Sequence, residues 1–520
     1  MPRTLETLNH DPRLPQLGPP PPASAGDANP YFSVVPPTPL PDPHLVAFNP
    51  AAAALIDLDP AAARRPDFVQ VMAGNAPLPG GSQISMLYAG HQFGVLVPQL
   101  GDGRAILIGQ IRNARGELWE LQLKGAGKTP YSRFGDGRAV LRSTIREYLC
   151  GEAMAGLGIP TTRALCIVGS PEPVQRETVE TAAVLCRMAP SHLRFGNFEV
   201  FYHRGEHDRL APLADHVIEN YFPHLKESRA WPAPTGGTPL VGKASVGGAH
   251  GPDVYRAWLT EVVERTARLI AQWQAVGFCH GVMNTDNMSI LGLTLDYGPY
   301  GFMEPFESHW ICNHSDETGR YAYDQQPAVG HWNCSRLLQA TLPLLDEVPE
   351  KAIEIAYAIL DRYGPAFVTE NLARWRAKLG LREALDSDPQ LIDGLLRILD
   401  RSRADFTTVF RALADPALAR DHIADVAAFD RWLEDYRARL AAEQSDDAGR
   451  AERMRAVNPA YVLRNHLAQA AIGKAQAGDF TEIETLRRLL ARPFDEQPGM
   501  ERYAAPPPPG TQRVEVSCSS

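Results

Sequence analysis

Apolar and polar positions change period along the chain, and the change predicts its elements. Between Gly101 and Leu123 the spacing is that of extended chain. Ala105 to Ile108 is a short apolar run, and Leu118 to Lys124 sets Trp119, Leu121 and Leu123 against Glu120, Gln122 and Lys124, as in strands with one face buried. A helix is predicted from about Ala139 to Leu157, bounded by Gly156, Gly158 and Pro160. Past residue 200 helical spacing dominates. Asp253 to Val276 carries Trp258, Val262, Leu269, Ile270 and Trp273 and stops at Gly277, and stretches rich in Ala, Leu, Arg and Glu between 350 and 495 predict further helices. No internal repeat is present. The expected class is α+β: a small β-rich unit leading into a larger helical one. The expected boundaries are a proline-rich arm and lead-in (1–80), the β-rich unit (81–200), the helical unit (201–445) and C-terminal helices with a tail (446–520).

Composition narrows the function. With 520 residues, 44% of them hydrophobic, the chain can bury a large core. No stretch approaches the ~20 uncharged apolar residues of a membrane span, and Met1 to Leu17 has no apolar core of a signal peptide. A net charge of −10 argues against a broad nucleic-acid surface. Seven dispersed cysteines make no disulfide framework, which points to the reducing cytoplasm; no membrane or nucleic-acid partner is expected, and a monomer is the default expectation. Prolines crowd the first residues (Pro19 to Pro22, then Pro36 to Pro43) and recur at Pro506 to Pro509, marking an extended arm and a tail.

Four segments carry candidate chemistry. In Leu100-Gly-Asp-Gly-Arg104, Gly101 and Gly103 let backbone approach phosphates and Arg104 can pair with their oxygens; taken singly, a hairpin turn is the better reading. Lys124 ends an alternating strand, and Glu147 lies in the next helix among Val140, Thr144, Gly151 and Met154, which make no charged outer face. A strand lysine held by a helix glutamate is how kinase folds aim an ammonium at phosphates. Between them, Gly127-Lys128-Thr129 invites a P-loop reading, but Gln122 stands where the first glycine is required and Pro130 interrupts the following helix. What remains is a glycine-rich basic loop with Asp136 and Gly137 near the nucleotide. Arg187 and Arg194 fall on an expected connection between the units and would bind a polyphosphate by charge-assisted contacts.

The fourth segment, His280 to Gly298, leaves an amphipathic helix and holds two short apolar runs around Gly292, expected as a strand hairpin. Asn287 and Asp296 occupy the order in which kinase-like enzymes set an asparagine and an aspartate on Mg²⁺, with Asp296-Tyr-Gly298 in place of Asp-Phe-Gly. Where small-molecule kinases of this fold place the aspartate that accepts the hydroxyl proton, this chain has Val282, which cannot accept one. Asp286 is the remaining carboxylate of the loop. Three readings stay open: nucleotidyl transfer, γ-phosphate transfer with Asp286 as base, and a nucleotide-binding scaffold without catalysis.

Tyr88 to Gly94, Leu121 to Gly137 and His280 to Gly298 together resemble the selenoprotein O family of pseudokinases, over a span from about Asn29 to the C-terminus. The resemblance implies a two-lobed, protein-kinase-like fold and ATP bound in inverted orientation, so that AMP passes to Ser, Thr or Tyr hydroxyls of other proteins; uridylyl transfer with Mn²⁺ also belongs to the family. It implies nucleotide contacts from Gly101, Gly103, Arg104, Lys124, Asp136, Gly137, Arg187, Arg194 and Asp296. Glu147 would pair with Lys124, Asn287 and Asp296 would hold Mg²⁺, and Asp286 would accept the proton. The family often ends in Cys-x-x-selenocysteine, whereas this chain ends Cys518-Ser-Ser520. A redox pair of Cys518 with Cys312 is the corresponding expectation.

Overall fold

The structure is a computed structural model and describes residues 2–18, 29–225, 248–508 and 510–517. Pro19 to Pro22 and Cys518 lie outside the described residues. The β-rich part is one antiparallel sheet: β1 (Phe32–Val34), β2 (His44–Phe48), β3 (Ile84–Gln92), β4 (Val95–Gly101), β5 (Ala105–Arg112), β6 (Leu118–Lys124), β7 (Ala139–Val140), β8 (Arg163–Gln175) and β9 (Val179–Ala189). Its order is β1-β3-β5-β6-β9-β8-β2, with β4 on β3 and β7 on β9. The first 45 residues, expected as an extended arm, supply β1 and the start of β2, and Leu5, Leu8, Leu14 and Leu17 of the arm are buried. Leucines spaced among polar residues had partners available in the sheet, and burial outweighs the proline signal.

The alternation of β6 works as expected on one face and differently on the other. Leu121 and Leu123 enter an apolar core with Ile106, Val184 and Cys186, covered by N-terminal segments around Leu5, Ile56 and Phe68. Glu120 and Gln122 on the opposite face are also buried, within a polar network. A second core lies on that side, where Ile145, Tyr148 and Leu149 of the Leu141–Gly156 helix meet Leu107, Leu185 and the helix Pro252–Ala275. A third core belongs to the helices between 363 and 457, around Trp375, Phe406, Phe410 and Tyr436.

The expected hairpin around Gly292 does not form. Ser289 bridges Arg194 and Thr294 bridges Thr161, each singly. The two apolar runs find partners in chain entering β8 and leaving β9 instead of in each other. Trp273 Nε1 donates to Thr294 Oγ1 at 2.9 Å, and His280 Nε2 bonds the Leu295 carbonyl at 3.0 Å, so the segment is pinned to the long helix. Arg187, expected on a connection, belongs to β9, and Arg194 follows five residues beyond its end.

Candidate active site

Sheet, glycine-rich loop and the His280–Gly298 segment enclose a cleft of about 870 Å³ lined by Gly101, Gly103, Arg104, Lys124, Asp136, Gly137, Arg187, Arg194, Asp286, Asn287 and Asp296. Residues far apart in the chain are thus gathered at one place. Strand register explains part of it. Gln122 lies directly opposite Arg187 in the β6–β9 pair, and Arg187 Nε donates to Gln122 Oε1 at 2.7 Å.

Glu147 takes the Lys124 ammonium as ion-pair partner and accepts from Arg187 at 3.2 Å. Asp296 is met by three cations: Arg187, Arg194 and, at 3.4 Å, Lys124. Burial alone would push the Asp296 carboxyl up, but Arg187, Arg194 and Lys124 hold it well below the usual carboxylate range. Asp296 has a φ of 57°, a left-handed backbone uncommon for a non-glycine residue. For Lys124, burial outweighs the attraction of Glu147 and Asp296 and lowers its pKa.

Asp286 differs from Asp296 in every respect. Its carboxylate is buried; Oδ2 accepts from Gln92 Nε2 at 3.2 Å, while Oδ1 has no partner. Loss of hydration pushes its pKa up to about 7. The orphan oxygen faces Gly90, where a β-carbon would lie 2.8 Å from the Asp286 Cβ. Asn287 Nδ2 donates to the Val282 carbonyl at 3.1 Å, and the half-buried residue lines the cleft.

Gly101, Gly103 and Gly137 line the cleft, and close backbone packing explains the glycines. The space beside Gly101 and Gly103 is filled by the glycine-rich loop: an added Cβ would meet the Tyr131 ring at 2.6 Å and the Tyr131 carbonyl at 2.9 Å. Gly137 has a φ of 77° and lies against the Gly127–Lys128 backbone. Arg104 is exposed at the cleft and Asp136 pairs with Arg176 at 2.7 Å, which holds its carboxyl low. Among the described residues no group of three or more His, Cys, Asp or Glu side chains is arranged to hold a metal.

Asp102, Arg176 and Gln92 are among the lining residues that were not singled out from sequence. Asp102, inside the Gly-Asp-Gly turn, points inward and accepts from Gln122 Nε2 at 3.0 Å. Arg176 sits at the β8–β9 hairpin tip, which reads as a solvated turn, and only topology brings it to the cleft. Gln92 lies within a quoted motif, but its bond to Asp286 crosses 194 positions of chain. The Cys312 thiol donates to the Pro299 carbonyl at 2.9 Å, and the neighbouring Asn313 pairs with Val516 of the tail. Cys518 itself lies outside the described residues.

Residues 20–491 match the family described as protein adenylyltransferase SelO. The chain belongs to that family. It is 54% identical to the protein nucleotidyltransferase YdiU of Methylococcus capsulatus, over 94% of each chain. It is 56% identical to that of Thioalkalivibrio sulfidiphilus, over 93% of this chain and 95% of the relative. With that of Myxococcus xanthus it shares 53% identity over 99% of this chain and all of the relative. Membership makes it a nucleotidyltransferase, with ATP as the substrate the family description implies. No helix among the described residues is long and apolar enough to cross a membrane.

Proposed function

We propose that this enzyme transfers AMP from ATP to serine, threonine or tyrosine hydroxyls of other proteins. In this reading residues 81–200 act as the smaller lobe of a kinase-like framework, 201–445 as the larger, and 446–520 as an extension. The observation that carries it is the cation cluster of Lys124, Arg187 and Arg194 at the cleft, with Asp286 buried beside it and its backbone carbonyl accepting from Arg194 at 2.7 Å; in the sequence, Val282 stands where a kinase base would be. Lys124, Arg187 and Arg194 converge on Asp296, and Arg104 also lines the cleft; such a concentration of cations favours a polyphosphate as ligand. Arg104 and the Asp136–Arg176 pair, with the glycine-rich loop, would hold the rest of the nucleotide.

The acceptor oxygen attacks the α-phosphorus, its proton passes to Asp286, and pyrophosphate leaves with the bond to the β-phosphate oxygen. A carboxylate poised near neutrality suits that task, since its basicity is high while much of it is ionised. The amide oxygen of Asn287 and the carboxylate of Asp296, both lining the cleft, are the donor types that fit a hard cation. They would hold Mg²⁺ or Mn²⁺, which supplies neutralisation of phosphate charge. Arg187 and Arg194 would then exchange part of their hold on Asp296 for phosphate oxygens. Cys312, beside the docked tail, is proposed to pair with Cys518 under oxidation.

Parallel incubation with α-labelled and γ-labelled ATP, with Mg²⁺ or Mn²⁺, tests the reading. Label from the α-position alone on acceptor protein is expected. Label from the γ-position would replace it with phosphate transfer, and neither label would leave only nucleotide binding.

A further inference from the structure

A shallow groove of about 630 Å³, bordered by Phe93, Arg320, Val329 and Trp332, adjoins the cleft through Phe93, which lines both. Phe93 follows Gln92, the residue that holds Asp286. The groove therefore begins one residue from the contact to the proposed proton acceptor. Phe93 has a φ of 49°, a strained backbone for an aromatic residue, of the kind that persists where surroundings enforce it. Its N–H donates to Tyr321 Oη at 2.9 Å and to Asn284 Oδ1 at 3.3 Å, which supply the enforcement. The ring leans on Tyr321 with centroids 5.1 Å apart and stays 37% exposed. This sets an aromatic ring at the surface beside the reaction centre, at the head of the groove.

The charge of the groove names the partner's chemistry. The Arg320 guanidinium lies over the Trp332 indole at 4.7 Å and that of Arg336 over the same indole at 5.2 Å. Among the described residues neither forms an ion pair, whereas Arg138, Arg142 and Arg163 are each matched to a glutamate. The rim acid Asp324 is already taken by His309 at 2.9 Å. Gly94 makes the room: with a φ of 84°, a β-carbon there would lie 3.1 Å from Arg320 Cζ. Arg320 lines the groove with its guanidinium free of any ion pair, and Arg336, which lines a neighbouring cavity, adds a second such guanidinium on the same indole, so the Trp332 end of the groove is locally positive in a chain of net charge −10.

We propose that this groove docks the acceptor protein, as an extended segment with an aspartate or glutamate beside the reacting hydroxyl. The acid pairs with Arg320, with Arg336 adding positive charge from the same indole, and a neighbouring apolar side chain packs on Phe93. The proposal rests on the adenylyl-transfer reading above. Its test uses synthetic peptides carrying one Ser, Thr or Tyr flanked by Asp/Glu, by neutral residues or by Lys, incubated with α-labelled ATP. The native enzyme is expected to label the acidic series about tenfold more efficiently than the Lys series, the scale of one desolvated charge pair. Arg320→Glu should invert that preference and Arg336→Glu should weaken it. Binding of a non-hydrolysable ATP analogue, followed by calorimetry, should be unchanged in both. If Arg320→Glu does not fold, Arg320→Gln should lose the acidic preference without gaining a basic one. Retention of the native preference in these variants overturns the groove, as does label on lysate proteins but on no peptide. Absence of α-label from every acceptor, with the analogue still bound, overturns the transfer reading itself.

Discussion

Two aspartates ten positions apart show how surroundings divide one chemical group into two. Asp296 is held ionised by Arg187, Arg194 and Lys124, whereas Asp286 is buried beside a glycine with a single amide donor. For Asp286 the pKa rises from 3.8 to about 7 on folding. An acid whose folded pKa is raised favours the protonated form, so its contribution to stability is intact below pH 4 and is lost as pH rises toward 7. The integrated penalty above pH 7 is about 4 kcal/mol. Asp286→Asn should therefore raise stability to urea by about 1–3 kcal/mol at pH 8, after the ~1 kcal/mol or more lost to a newly unpaired amide N–H. It should give no gain at pH 4. The same substitution should lower transfer by about 10²–10⁴-fold, and the native rate should climb as pH passes through 7. A variant equally stabilised at both pH values would show that Asp286 is not the group penalised.

At the scale of elements, β3 brings its backbone against Asp286 at Gly90. Its centre is buried, and Gly90 leaves space for Asp286 where any side chain would collide. Gly90→Ala should displace the Asp286 carboxylate, cost about 1–3 kcal/mol by overpacking and lower kcat more than the KM for ATP. Equal transfer kinetics in that variant would separate β3 from the placement of Asp286. The β6 strand carries a related lesson. Its alternation was readable, and so was the sharing of one face by Lys124, Glu120 and Gln122. That this face is buried was not readable, because a polar face is buried only when another element brings partners. Here β9 brings Arg187 to Gln122, and His192 donates its backbone N–H to Glu120 at 2.8 Å. Burial accordingly pushes the Glu120 pKa up to about 8.

Across the whole molecule, the N-terminal segment is structural. Leu5 and Leu8 enter the core beneath the sheet, and Leu14 and Leu17 enter the one above it, so the segment fastens both faces. Leu14 N also donates to Gln110 Oε1 at 2.7 Å. Burying a leucine contributes about 1.5–3 kcal/mol. A chain lacking residues 2–17 should therefore unfold at clearly lower urea concentration, by several kcal/mol. An unchanged urea midpoint would mean that the segment is held without contributing.

The residue identities by themselves determined the mixed α+β class, extended chain at β5 and β6, the helix bearing Glu147 and the long helix that stops before Gly277. They also determined which residues could carry charge to a phosphate. Such features depend on local period and residue chemistry, which a linear pattern records. Tertiary structure alone decided that the two apolar runs around Gly292 pair with Arg194 and Thr161 separately, and that the space beside Gly101 and Gly103 belongs to Tyr131. It alone brought Gln92, Asp102 and Arg176 to the cleft. These outcomes rest on contacts between segments distant in the chain, where burial and pairing with another element outweigh what neighbouring residues prefer.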